Sequence, residues 1–345
     1  MIAANQPAAA GSRSVEGAVC GVTITGIGSY VPERILTNAD LEKMVDTTDE
    51  WIVTRTGIRE RRIAAADEYM SHMAVAAVQD MIDRYGVRVT DADMILVCTH
   101  TPDFPFPMVA CLVQHHFRIA QAGALDLNAT CAGFVYGLNM AAGLIRSGMH
   151  RKVLVIAGDT MSKITDYTDR STCILFGDGA GAVLLERTRE GEDCCFMACD
   201  FGSDGGGGAL VHRAGLAKSL NGVDLDPRGY FYQNGRAVYR WAVETVPAGM
   251  RRLFEASGLT PDAVDWFVPH NANLRMIESI CERSGFPLER TLLSLVHYGN
   301  TSAASIPLAL DLGVRDGRVK KGDRLMLYGF GGGLVYAGAV IRWPL

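Results

Sequence analysis

The chain has 345 residues, 48% of them apolar and 21% charged, a balance that excludes a disordered, collagenous or coiled-coil protein. Its formal net charge of −5 argues against bulk nucleic-acid binding, and no run of 18 apolar residues is present to span a membrane. The N-terminus has no basic stretch followed by an apolar core, so nine cysteines point to reduced thiols in a cytoplasm.

Residues 1–18 read as a flexible tail. After them, β-branched runs alternate with longer helical patterns. Strands are expected at 22–27, 94–98, 124–127, 153–157, 173–176, 182–186, 266–268, 325–328 and 335–341. Helices are expected to begin near Asn38, Ser71, Pro107, Cys131, Arg236, Asn273 and Thr301. This alternation predicts an α/β fold with largely parallel strands. Two internal matches run in the same order. Thr90–His100 resembles Thr260–His270, and Phe176–Leu185 resembles Phe330–Val340. They divide the chain into duplicated halves, 19–190 and 191–345, joined by the charged stretch Glu186–Asp193.

Cys131 follows an expected strand and opens an expected helix. Phe134, Leu138, Ala141 and Ile145 give that helix one apolar face, and Gly133, Gly137 and Gly143 allow it to pack closely. A cysteine at a helix start is favoured as a thiolate by the helix dipole, and nearby free N–H groups suit an oxyanion. The alternative is an inert buried thiol. His270 lies just past the strand at 266–268, where acid–base residues of α/β proteins often stand, although a structural histidine is equally open. Asn300 sits in a Gly-Asn-Thr-Ser turn and taken alone reads as a turn or cap residue. Together the three place a thiolate, an imidazole and an amide at strand-to-helix junctions.

Other segments say less. Gly177–Gly181 lies between two strand-like runs and does not open a helix, so it does not read as a dinucleotide site. Cys194, Cys195, Cys199 and His212 lack the spacing of structural zinc. Trp51 with Arg55, Arg59, Arg61 and Arg62 is either a solvated charged face or a surface for a purine and its phosphates.

Seven segments in order resemble the β-ketoacyl-[acyl carrier protein] synthase III family, of thiolase-like fold. They are residues 37–61 around Trp51, Thr130-Cys-Ala-Gly-Phe134, Asp169-Arg170, Phe176–Gly181, Val268–Arg275, Gly299–Ala304 and Phe330-Gly-Gly-Gly333. The resemblance covers residues 22–343. It implies a five-layered αβαβα architecture from two duplicated halves and a homodimer. It implies a catalytic triad of Cys131, His270 and Asn300, with an oxyanion hole at Cys131 and Gly332. It also implies a coenzyme A tunnel lined by Thr47, Trp51, Arg170, Gly235, Arg236 and Asn273, with Trp51 and Arg170 sandwiching the adenine. Phe106 (reaching across the dimer), Phe134 and Phe330 would shape the acyl pocket, and Arg240 and Arg275 would dock an acidic carrier protein. Asn271 stands where the family often has glutamine and would flank the tunnel.

The implied reaction is a decarboxylative condensation that begins fatty-acid chains. Cys131 takes an acyl group from acyl-CoA, and malonyl-acyl carrier protein loses carbon dioxide and attacks the thioester. No metal or redox cofactor is required; the coenzyme A thioester is substrate. Neither nucleic acid nor membrane is an implied partner. The alternative on the same fold is transfer of the acyl group from Cys131 to an alcohol or amine. A thiolase would want a second cysteine near the site, and none follows Cys281; a noncatalytic subunit would be expected to lose Cys131.

Overall fold

The computed structural model describes residues 21–189 and 192–345; the tail expected at 1–18 lies outside them. The main elements in chain order begin with β1 (Val22–Tyr30), α1 (Asp49–Thr56), α2 (Met70–Tyr85), β2 (Met94–Cys98), α3 (Val109–His116), β3 (Gly123–Leu127), α4 (Gly133–Arg146), β4 (Lys152–Asp159) and β5 (Gly179–Arg187). Then come β6 (Phe196–Ser203), α5 (Gly235–Ser257), β7 (Trp266–Pro269), α6 (Leu274–Ser284), α7 (Ser305–Arg315), β8 (Arg324–Gly331) and β9 (Val335–Arg342).

The strands form two large sheets. One has the order β1-β5-β4-β2-β3, and the other has the order β6-β9-β8-β7. In the first, β2 is parallel to β3 and β4, while β4–β5 and β5–β1 are antiparallel. In the second, β7–β8 is parallel, while β8–β9 and β9–β6 are antiparallel. The two sheets therefore repeat one pattern, except that the counterpart of β3 shrinks to a single parallel bridge between Phe267 and Thr291.

Burial explains the layers. Residues 153–159 of β4 and the residues of β8 after Arg324 are buried without interruption, the signature of strands covered on both faces. Helices α4 and α7 lie between the sheets and share one apolar core with both. The outer faces are covered by α2 and α3 on the first sheet and by α5 and α6 on the second. This is the αβαβα arrangement.

The expected face of α4 forms as read: Phe134, Leu138, Ala141 and Ile145 are fully buried, and each large side chain contributes about 2 kcal/mol from burial. Gly137 is a true packing glycine, since a Cβ there would stand 2.5 Å from Cys98 Sγ. Gly143 meets nothing and is not. A buried carboxylate, Asp311 of α7, accepts from Arg84 of α2 at 2.6 Å, Arg315 at 2.8 Å and Ser29 at 2.6 Å. These bonds bind the central layer to the first sheet and its outer helix.

The sheets are mixed and not largely parallel as expected, since four of the seven strand pairings in the two large sheets are antiparallel, and one expected strand fails locally. Residues 173–176 form a turn, not a strand. The Asp169 carboxylate accepts from Ser171 and Thr172, and the Asp169 carbonyl accepts from Cys173 N–H, so local bonds outweigh β propensity. Strand β6 went unrecognised because its sequence is rich in small and polar residues.

Candidate active site

Cys131 occupies a 3-10 turn, Thr130–Ala132, directly before α4. Thr130 takes φ +46°, and its hydroxyl donates to Gly332 O at 2.9 Å. This pins the Cys131 turn to the residue just after β8. Glycine is needed at that contact: a Cβ on Gly331 would stand 2.9 Å from Cys131 Cβ.

Cys131 Sγ lies 3.4 Å from Ser302 Oγ. Burial pushes its thiol up to about 12, opposed by the Ser302 bond and reinforced by the charge of Asp159. The resting sulfur is therefore a protonated thiol, contrary to the thiolate expected from its position. The turn places the helix start two residues later, and desolvation dominates.

His270 follows β7. Its N–H donates to Tyr328 O at 2.8 Å, and its ring meets Phe330 edge-on with centroids 5.2 Å apart. Nδ1 lies 2.8 Å from Ser305 Oγ, which already accepts from Asn271 N–H at 3.2 Å. The Ser305 proton is thus free to point at Nδ1, an assignment that leaves the imidazole proton on Nε2. Burial lowers the pKa of His270 to about 3, so the ring is neutral at neutral pH.

Asn300 is buried, with its backbone paired to Leu175 and Gly177 across the loop after the failed strand. Its Oδ1 accepts from Ser302 N–H at 2.9 Å. That bond fixes the amide so that Nδ2 is left as a donor.

The three residues line one narrow cavity of about 40 Å³, together with Phe330 and Gly332. Outward it shares Leu175, Gln233, Asn273 and Met276 with a cavity of about 460 Å³ that opens at Trp51, Arg55, Gly235, Arg236 and Arg275. It also shares Cys131, Val211, Phe231 and Gly332 with a third cavity of about 320 Å³ lined by His100, Asn128, Met161 and Arg213. A path thus runs from an arginine-rich mouth, past Cys131, His270 and Asn300, to the cavity at His100 and Met161.

The structure divides the remaining expectations. Gly235, Arg236, Asn273 and Trp51 line the mouth. Asn273 Oδ1 caps α6 through Met276 N–H at 2.9 Å, leaving its NH₂ group for a ligand. The Arg170 guanidinium lies directly on the Trp51 ring, 4.3 Å from its centroid. A purine between them requires the pair to part. Thr47 is buried, with its hydroxyl unpartnered, and does not line the mouth cavity.

Phe330 walls the cavity of Cys131, His270 and Asn300, but Phe134 does not: it faces the core between the sheets. Phe106 is 85% exposed in the single chain. Arg240 and Arg275 are both exposed, and Arg275 also lines the mouth. Arg61 is fully buried and holds Asn38 and Ile174 O, so it is a structural clamp and not a phosphate ligand. Asn271 is also a clamp, donating to Pro269 O and accepting from Ser294 N–H, each at 2.8 Å.

Sequence reasoning missed Ser302, Ser305, Asp159 and His100. The two serines lie two and five residues beyond Asn300, and only their contacts with Cys131 and His270 reveal them.

Residues 125–205 match the 3-oxoacyl-[acyl-carrier-protein] synthase III family, and residues 254–343 match the C-terminal family of the same synthase. Among curated relatives, β-ketoacyl-[acyl-carrier-protein] synthase III 2 of Halalkalibacterium halodurans is 61% identical over 322 residues, covering 93% of this chain and 96% of its own. The protein of the same name in Bacillus subtilis is 57% identical, with coverage of 93% and 98%. The solved structure of β-ketoacyl-[acyl carrier protein] synthase III from Thermus thermophilus superposes with a TM-score of 0.89 at 45% identity, over 93% of this chain and 99% of that one.

Proposed function

The chain belongs to the 3-oxoacyl-[acyl-carrier-protein] synthase III family, and from that premise we propose how its residues divide the reaction. The activity is an acyl transfer, the priming condensation of fatty-acid synthesis. One observation carries the residue assignment: Cys131, His270 and Asn300, drawn from both halves, line a single narrow cavity between an arginine-rich mouth and a second cavity at His100 and Met161.

An acyl-CoA enters through the mouth, where Arg236 and Arg55 meet its phosphates and Trp51 with Arg170 takes its purine. The acyl group lies in the cavity at His100 and Met161. Cys131 attacks the thioester carbonyl, and the backbone N–H groups of Cys131 and Gly332 hold the oxyanion. After coenzyme A departs, the pantetheine arm of malonyl-acyl carrier protein uses the same path. Loss of carbon dioxide places negative charge on the malonyl thioester oxygen. His270 Nε2–H and Asn300 Nδ2–H donate to that oxygen. Both groups are neutral, so they keep their donors without titrating near neutral pH. The carbanion then attacks the acyl-Cys131 thioester. Phe330 shields the intermediate from water. The reaction needs no cofactor beyond the thioester substrate.

A homodimer is proposed from the edge strand β3, whose outer side carries no neighbouring strand among the described residues and whose Leu125 is 39% exposed. A second copy paired there would cover the exposed Phe106. Arg240 and Arg275 flank the mouth as cations for an acidic carrier protein. A cytoplasmic location is supported by eight free thiols among the described residues; no described helix is long and apolar enough to cross a membrane.

The test is incubation with a panel of acyl-CoAs and malonyl-acyl carrier protein, followed by mass spectrometry of the carrier. A β-ketoacyl product two carbons longer than the primer is expected. Acylated Cys131 without elongation, and acyl transfer to an added alcohol or amine, would overturn the assignment.

A further inference from the structure

The two ring nitrogens of His270 have different surroundings. Nδ1 is held from behind, 2.8 Å from Ser305 Oγ. Nε2 makes no hydrogen bond among the described residues and is left to the narrow cavity that His270 lines. Ser305 is the first residue of α7 and is fully buried. Two further buried residues, Asn271 and Ser294, close around it. The Asn271 N–H donates to Ser305 Oγ at 3.2 Å. The Asn271 side chain donates through Nδ2 to Pro269 O and accepts through Oδ1 from Ser294 N–H, each at 2.8 Å. The Ser294 hydroxyl then donates to Ser305 O at 3.2 Å. The serine behind His270 is thereby fixed at its backbone and at its hydroxyl.

Counting protons decides which way the Ser305–His270 bond runs. A hydroxyl offers one proton and two lone pairs. The Asn271 N–H occupies one lone pair of Ser305. A proton on Nδ1 would occupy the other, and the Ser305 proton would then have no acceptor, since Oγ meets only these two groups. Ser305 is fully buried, so solvent cannot supply one, and a buried O–H left unpaired is unfavourable. In the opposite arrangement every group is paired. The Ser305 O–H donates to Nδ1, the Asn271 N–H donates to Oγ, and the ring proton sits on Nε2. The tautomer determines what a substrate meets in the cavity. Nε2–H is a donor to a developing oxyanion, whereas a bare Nε2 would present a lone pair and repel it.

We propose that Ser305 is a positioning residue that locks His270 in its Nε2–H tautomer, and that decarboxylation depends on this lock while acylation does not. The proposal rests on His270 being a donor to the malonyl thioester oxygen. As the bond between the malonyl methylene carbon and its carboxylate breaks, carbon dioxide leaves and the electron pair passes to that oxygen. The oxygen accepts from Nε2–H, and no proton is transferred. Asn271 and Ser294 act one contact further out, by holding Ser305 so that its only free proton points at Nδ1. Acylation of Cys131 draws on the backbone donors of Cys131 and Gly332 and makes no call on the His270 tautomer.

Nitrogen NMR of the full-length protein carrying isotope-labelled histidine reads the tautomer directly, with His270→Gln used to identify the His270 signals. At neutral pH the parent should show a bare Nδ1 and a protonated Nε2. In Ser305→Ala the Nδ1 signal should move as its hydrogen bond is lost. In the same variant, carbon dioxide release from malonyl-acyl carrier protein by the acylated enzyme should fall by about tenfold or more, while acyl-Cys131 forms at close to the parent rate. A proton on Nδ1 of the parent, undiminished carbon dioxide release in Ser305→Ala, or equal loss of both partial reactions would overturn the proposal. His270→Ala separates the two levels. Undiminished carbon dioxide release in that variant would sink the donor reading itself, whereas loss there without loss in Ser305→Ala would overturn the tautomer lock alone. Should Ser305→Ala fail to fold, the parent spectrum decides.

Discussion

Two 3-10 turns open the central helices, Thr130–Ala132 before α4 and Ser302–Ala304 before α7. Each holds a non-glycine residue in the left-handed region, Thr130 at φ +46° and Ser302 at φ +52°. Such strain persists only where surrounding contacts over-determine it, and here each turn is fixed by polar bonds, Thr130 to Gly332 O and Ser302 N–H to Asn300. The first turn carries Cys131, the proposed nucleophile. The second carries hydroxyls that orient what lies around it: Ser302 faces the sulfur, and Ser305 faces His270. Under the proposed assignment two matching turns carry two chemistries, one supplying the bond-forming atom and the other the donors that stabilise charge.

Removing the nucleophile should break this comparison most completely. Cys131→Ala is expected to lose acyl-enzyme formation by on the order of 10⁴-fold or more, read by intact mass after incubation with acyl-CoA. A stable adduct on the variant would assign the nucleophile elsewhere. Next is the seam where the two halves touch. Gly331→Ala puts a methyl 2.9 Å from Cys131 Cβ and 3.1 Å from Cys131 N. It should cost about 1–3 kcal/mol in thermal unfolding through overpacking and slow acylation by displacing the turn. Unchanged stability and rate would mean that this close approach has no consequence.

The burial of His270 sharpens the contrast through pH. Its folded pKa near 3 lies below the ordinary 6.5, so the native state excludes a proton that the unfolded chain binds. The resulting stability is fully present above about pH 6.5 and is lost as pH falls towards 3, about 3 kcal/mol by pH 4. In denaturant titrations across that range, His270→Gln should show a shallower loss than the parent. Equal slopes would show that the ring is not held neutral by burial. The smallest effect is expected at the surface. Arg240→Glu should raise KM for the carrier-protein substrate by about fivefold, through lost steering, with little change for acyl-CoA. A change shared by both substrates would place Arg240 in the tunnel and not in docking.

The two halves were also unequally legible in the sequence. Strands such as β2, β4 and β8 carry β-branched or aliphatic runs that only a buried sheet satisfies, and α4 shows its face at helical spacing. The turn at 173–176 carries a similar run but is ruled by Asp169, whose local bonds no periodicity reports. The triad stood out because cysteine, histidine and asparagine at strand-to-helix junctions are unusual in combination. Ser302 and Asp159 did not, since a serine after a turn and an aspartate ending a strand are ordinary until a contact across 144 positions joins Asp159 to Ala303, the neighbour of Ser302. Phe134 shows the reverse case. Its helical spacing already placed it on the core face, and the family-implied pocket role gives way to that local reading.

The central claim is that the first half can accept an acyl group without the charge-stabilising pair of the second. It is tested most directly by measuring two partial reactions in His270→Ala and Asn300→Ala: formation of acyl-Cys131 from acyl-CoA, and release of carbon dioxide from malonyl-acyl carrier protein by the acylated enzyme. Acylation should stay within about tenfold of the parent while carbon dioxide release falls by about 10²-fold or more. Equal loss of both steps would contradict the division of labour between the halves.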